Sequence, residues 1–181
     1  MTADIDLELL AQQVGYLRDR QAILDSISRY IMGVDRHDNE IILSAYHADA
    51  IDEHGSAVNP MPDFADWVNN GHASWTRAHT HNLTTHSCQI EGDVAHAETY
   101  VLAGLAASDE SHVRLCGARY VDRLERREGE WKISLRKVII DWIMTGDASD
   151  FHQASYKARG YPAGTWDTTD PAYQRPLVPS S

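Results

Sequence analysis

Basic residues are scarce in this chain of 181 amino acids: 16 lysines and arginines stand against 27 aspartates and glutamates, for a formal net charge of -11. Such a charge repels phosphate backbones and anionic lipid, and no local basic patch reverses it, so neither nucleic acid nor a membrane surface is expected as a partner. Long apolar runs are missing too. None approaches the roughly 20 residues of a membrane span, and the opening MTADIDLELL is acidic where a secretion signal is basic, which predicts a cytoplasmic protein. Cysteine is limited to Cys88 and Cys116, each in a strand-like stretch. Two isolated thiols in an intracellular chain are expected as core filler, not as a bridge or metal knot. A Gly-rich phosphate loop, a serine elbow, internal repeats and low-complexity segments are all lacking, so nucleotide use and acyl-enzyme chemistry have no support.

What is present suffices for one full-sized core, since 43% of the residues are hydrophobic. From Asp4 to Arg20, Leu7, Leu10, Val14 and Leu17 recur at helical spacing, and Ile23, Ile27, Ile31 and Val34 carry a stripe onward, which predicts either a separate first amphipathic helix or, since no firm break divides the two stripes, one long helix reaching Val34. Asp38 is placed to cap a short second helix with Ile41, Ile42 and Tyr46 inside, and HADAIDEHGSAV reads as a small hairpin. Pro60 to Arg77 predicts a third helix around Phe64, Trp67, Val68 and Trp75. Beyond it the period changes to two. His79–Glu91, Val94–Ala106, His112–Arg126 and Trp131–Trp142 are predicted as four strands of an antiparallel meander. In the last of these, Ile133, Leu135 and Ile139 alternate with Arg136, Val138, Ile140 and Trp142; both faces need cover, one from helices and one from another subunit. After Gly146 no period is sustained, but Phe151, Tyr156, Tyr161, Trp166 and Tyr173 are anchors for a packed extension. The expected division is a domain over 1–145 and a C-terminal extension over 146–181.

Asp35 continues the apolar stripe of the first helix four residues beyond Ile31, so an acid points at the core where a solvated cap would otherwise be expected. Tyr30 can share its cavity wall. Ten histidines include His72, His79, His81, His86 and His96 in one region. His79 and His81 share a strand face and, with Asp35 or His54, could be drawn as a metal site. Their dispersed spacing fits no standard ligand motif, so no metal is assigned. If a helix-on-sheet packing brings Asp35 to His81, the carboxylate fixes the imidazole tautomer and leaves Nε2 as a base. Arg136 and the Tyr30 hydroxyl could then stabilise a departing group.

The order of a long amino-terminal helix, YIMGVDRHD, YHADAIDEHG, HTHNLTTHSCQIEGDVAHAETY and GARYVDRLERREGEWKISLRKVIIDW resembles the SnoaL-like branch of the nuclear transport factor 2-like superfamily, over roughly Leu7 to Trp142. The resemblance implies an α+β fold, a cone-shaped barrel with helices closing a strongly curved antiparallel sheet over an apolar pocket. Within the superfamily it is similar to cofactor-free lyases of the hexachlorocyclohexane dehydrochlorinase, scytalone dehydratase and bile-acid 7α-dehydratase kinds. There the aspartate follows a Gly-Val pair, as in Gly33-Val34-Asp35, and His81, Arg136 and Tyr30 fall where the partner groups would stand. The expectation is a lyase that eliminates water or halide from a small apolar, cyclic substrate without cofactor or metal. His81, Asp35, Tyr30 and Arg136 are its catalytic candidates; Tyr46, His54 and Trp142 are its substrate-binding candidates; the assembly is a homodimer or homotrimer. The alternatives are a non-catalytic ligand-binding or dioxygenase β-subunit-like module, and a ketosteroid-isomerase-like isomerase.

Overall fold

The computed structural model describes residues 6–179, so the expected helical start at Asp4 lies outside the described residues. Helix α1 (Leu7–Arg36) opens at Asp6, whose carboxylate accepts the backbone N–H groups of Glu8 and Leu9, both at 3.0 Å. It runs unbroken through both predicted halves. Only the second half is buried, through Ile23, Ile27, Tyr30 and Val34. The Leu7, Leu10, Val14 and Leu17 stripe stays exposed, because the helix overruns the sheet: its first side-chain hydrogen bonds to strands come from Asp19 and Arg20. The helix ends in a left-handed cap at His37 (φ 53°), with the His37 and Asp38 N–H groups returning to the carbonyls of Val34 and Gly33. Asp38 then caps helix α2 (Asn39–Ser44) by accepting the Ile41 N–H. Glycine is required at position 33: a Cβ there would stand 2.6 Å from the Ile42 nitrogen, so α2 can turn back against α1 only over a bare backbone.

Strand β1 (Tyr46–His54) and strand β2 (Ala57–Pro60) form the hairpin, and helix α3 (Asp63–Ala73) follows. The long strands are β3 (Thr76–Glu91), β4 (Val94–Ala107), β5 (His112–Arg127) and β6 (Glu130–Asp147). The sheet order is β2-β1-β6-β5-β4-β3. The meander is antiparallel throughout, but β1 runs parallel to β6, so the sheet is mixed where an antiparallel one was expected. This is an α+β fold, with helices packed on a six-stranded sheet that does not close. No helix among the described residues is long and apolar enough to cross a membrane. Past Asp147 come two short 3-10 turns and a four-residue helix α4 (Ala154–Lys157).

Two bulges reassign the faces of β6. Leu124 pairs with Ile133 while Asp122 pairs with Arg136, and Ala118 pairs with Ile140 while Gly117 pairs with Trp142. Ile133 and Arg136 are therefore both fully buried although three residues apart, which corrects the alternation read from the sequence. Trp142 crosses Gly117, where a Cβ would lie 2.2 Å from the indole. Along the far half of β6, Ile140, Trp142, Ile143 and Met144 are each about half exposed, so both faces lack cover in the single chain.

The core closes on a charge. Arg136 has no exposed surface and makes two 2.7 Å bonds to the Asp122 carboxylate, with its guanidinium carbon 4.0 Å from the Tyr120 ring centre and 4.2 Å from that of Tyr30. Burial alone lowers the Arg136 pKa; the Asp122 carboxylate together with the Tyr46 and Tyr30 phenols more than offsets that and holds it well above its ordinary value. Removing one member leaves the other charged and desolvated. Arg136→Met is expected to cost about 3 to 5 kcal/mol by urea unfolding, and Arg136→Met with Asp122→Leu clearly less than the single change. A double variant weaker than the single one would show that the pair, and not the stranded charge, carries the stability.

Candidate active site

The end of α1 meets β3 through three hydrogen bonds. The Asp35 carboxylate accepts the His81 backbone N–H at 2.9 Å with one oxygen and the His81 Nδ1 proton at 2.6 Å with the other. Two residues earlier on the same strand and face, His79 Nε2 donates to the Val34 carbonyl at 3.0 Å. Val34 O belongs to the last turn, where helical carbonyls run out of partners within the helix; it accepts the His37 N–H of the cap, and His79 adds a second bond from β3. With Nδ1 given to Asp35, His81 keeps Nε2 as the nitrogen bearing a lone pair, and Nε2 has no hydrogen-bond partner among the described residues. The side chains of Asp35 and His81 keep 12% and 10% of their surface, and that surface faces a pocket of about 400 Å³.

The pocket has an apolar wall of Ile31, Met32 and Ile41 and a polar rim of Arg36 and Arg175, and its remaining side is Ala172 and Tyr173 from the chain's end. That terminal segment is fastened at three places. Trp166 stacks on His37 with centres 3.8 Å apart, Asp170 stands 3.4 Å from Arg36 Nε, and the Tyr173 hydroxyl donates to Asp38 at 2.7 Å. Burial and the bond to Asp38 push the Tyr173 phenol up to about 12. These contributors were missed as site residues in the sequence, where only the aromatic content of the segment signalled that it packs.

The other candidates lie elsewhere. Tyr30 is buried among Tyr46, Phe64 and Tyr120, and burial raises its phenol well above the ordinary value. Neither Tyr30 nor Arg136 lines the pocket that receives Asp35 and His81. Tyr46 donates to the fully buried Asp52 at 2.7 Å, and His54 Nδ1 also bonds Asp52, so these two candidates form a second knot under α3. Trp142 is on β6 against Gly117 and does not reach the pocket either. Behind the dyad, the rings of His37, His72 and His79 are packed in series, with centres 5.2 Å apart for His37 and His79 and 4.3 Å for His72 and His79. Among the described residues no group of three or more His, Cys, Asp or Glu side chains converges to hold a metal ion.

The SnoaL-like domain profile matches residues 15–137. No curated protein matches the chain. Among solved structures, a type 2 hexachlorocyclohexane dehydrochlorinase (LinA) superposes with a TM-score of 0.69 at 24% identity, over 74% of this chain and 93% of its own. The LinA-type3 dehydrochlorinase from Novosphingobium barchaimii LL02 gives 0.68 at 25% identity, over 74% and 94%. A protein described provisionally as a scytalone dehydratase, from Novosphingobium aromaticivorans DSM 12444, gives 0.65 at 17%, over 71% and 88%. The likeness is one of fold.

Burial, with mutual repulsion added, lowers the His37 imidazole to about 4 and the His72 imidazole to about 3, against an ordinary value of 6.5. The unfolded chain takes up protons near pH 6.5 that the folded chain refuses until those lower values. Between the two, the unfolded state binds more protons, so folding stability is full above pH 6.5 and is lost as the pH falls toward 4. Thermal unfolding between pH 7.5 and 5 is expected to show a falling midpoint, with a shallower slope in His72→Gln. A slope unchanged by that substitution would remove the histidine row from the account.

Proposed function

The chain belongs to the SnoaL-like family of the nuclear transport factor 2-like superfamily, and from that membership we propose that it is a cofactor-independent lyase, eliminating water or halide from a small cyclic substrate. The observation that supports the reading is that the Asp35–His81 pair, bonded through Nδ1, lines an apolar-walled pocket. In the proposed reaction Nε2 takes a proton from carbon. The carbon–hydrogen electron pair becomes the new double bond, and the group on the adjacent carbon leaves with its own bonding pair. Halide needs nothing more. A hydroxyl needs a proton to depart as water, and the imidazolium just formed can return one, so both eliminations balance on His81. Asp35 offsets the charge that the ring acquires, and it does so at the negative end of the α1 dipole, which also favours a cation there.

Tyr30 and Arg136 enter this reading as positioning groups, since each is closed off by burial and Arg136 is committed to Asp122. That closure also favours a second reading, in which the polar core is structural and the protein binds a ligand without converting it. His81→Ala decides between them. On a hydroxylated or halogenated cyclic substrate that the parent protein converts, it is expected to remove nearly all turnover, and Asp35→Asn on the order of a thousandfold, in variants shown to be folded by circular dichroism. Retained elimination by folded His81→Ala would sink the dyad mechanism.

The localisation reading stays with the proposal: a cytoplasmic homodimer or homotrimer, joined through the exposed residues of β6. Sedimentation at micromolar concentration is expected to give an oligomer, and Trp142→Lys with Met144→Lys to shift it toward monomer. A monomeric parent protein would count against this assembly.

A further inference from the structure

We infer that the pocket beside Asp35 and His81 takes an apolar ring that carries one anionic group, a carboxylate or sulfonate, and that Arg175 selects for it. The elimination reading supplies what happens after binding; the binding itself stands on the geometry below.

Acids abound in this chain, but those around the pocket are already engaged. Asp35 is held by His81. Asp38 accepts the Ile41 N–H with one oxygen and the Tyr173 hydroxyl with the other. Asp170 accepts the Thr165 and Ala172 N–H groups and faces Arg36. Arg175 is left with a 2.7 Å bond to the neighbouring Gln174 carbonyl and pairs with no acid among the described residues; several other arginines also lack an acid, but Arg175 is the one of them that lines this pocket. Its place is fixed by the Trp166, Asp170 and Tyr173 fastenings to the end of α1. Arg36 adds a second guanidinium to the same rim, and its Nε is buried and lacks a directed hydrogen bond despite the nearby Asp170. Ile31, Met32 and Ile41 offer a ring nothing polar. A ligand matched to this pocket is therefore apolar over most of its surface and negative at the end that reaches Arg175. The protein's own charge opposes such a ligand at long range, where salt screens it beyond about 10 Å, whereas Arg175, although exposed, would meet the anion in contact.

Two dyes of one scaffold isolate the charge: 8-anilinonaphthalene-1-sulfonate, and N-phenyl-1-naphthylamine, which lacks the sulfonate. In fluorescence titrations of the full chain, the sulfonate is expected to bind more tightly than the neutral amine. Arg175→Met should weaken the sulfonate about three- to fivefold while leaving the amine unchanged within error, and Arg175→Lys should keep most of the preference. Dye on the exposed β6 face is recognised by NMR, because only dye in the pocket shifts the ring signals of His81, assigned through their loss in His81→Ala. Equal effects of Arg175→Met on both dyes, no effect on either, or His81 signals that stay in place as dye binds would each overturn the inference. Charge-selective binding with no turnover of any substrate would end the elimination reading alone. Turnover with no charge preference would end this one alone.

Discussion

A helix of thirty residues that stops against a sheet must find partners for its last carbonyls, and the way α1 does so organises the site. The Gly33 and Val34 carbonyls accept the N–H groups of the left-handed turn, and Val34 accepts His79 from β3 as well. Asp35 follows directly, at a helix end where the dipole disfavours an anion. Its carboxylate is tolerable there because both oxygens are engaged by a single residue, His81, through main chain and side chain together. The same two contacts that relieve the helix end hold an imidazole with one nitrogen occupied and the other free. Substituting either residue therefore acts on helix docking and on imidazole geometry at once, and Gly33 belongs to the same device because it lets α2 seat behind them.

Deeper in the cone, polarity is handled differently. Arg136 and Asp122 satisfy each other, three tyrosine rings surround the guanidinium, and Tyr46 with His54 close on Asp52. Burial raises the Asp122 carboxyl while the guanidinium pulls it back, which is the balance of a pair made inside the core rather than at a surface. One guanidinium nitrogen, Nη1, still has no hydrogen-bond partner among the described residues. Such a layer is costly to disturb and cannot follow a reacting molecule. On the proposed mechanism the mobile charge is confined to His81, and the deep layer holds the walls.

Much of this could be read from the sequence, and the failures have particular causes. The apolar stripe of α1 and the period of two in β3 to β6 are local patterns, so the elements and the inward placement of Asp35 were legible. The parallel pairing of β1 with β6 joins segments some eighty residues apart and leaves no local mark. Arg136 was legible as a residue and not as a contact: the hairpin turn at Glu128 and Gly129 sets one register, and the bulge between Arg123 and Leu124 shifts it by one, which brings Arg136 opposite Asp122 and onto the face of Ile133. A bulge is invisible to an alternation count. The pocket's outer wall was illegible for another reason, since residues 166–175 have no period and act only through where three fastenings put them.

That last point bears on how specificity is divided along the chain. The SnoaL-like match ends at residue 137 and contains Asp35 and His81, whereas Ala172, Tyr173 and Arg175 lie beyond it. The pair proposed to move the proton thus sits in the part shared with the family, and the residues proposed to limit what can approach it sit in a part the family profile does not reach. A change in the terminal segment can alter the rim without breaking the carboxylate–imidazole bonds, because its hydrogen bond, ion pair and ring contacts with the domain are to Asp38, Arg36, His37 and His79 and not to Asp35 or His81. The wall is nonetheless coupled to the base by one turn of backbone: Arg36, His37 and Asp38 follow Asp35 directly, so the cap that ends α1 is also the surface on which the segment rests. On the proposed function, selection and chemistry are separable in sequence and adjacent in space, which is an arrangement that lets one scaffold keep its base while its substrate changes.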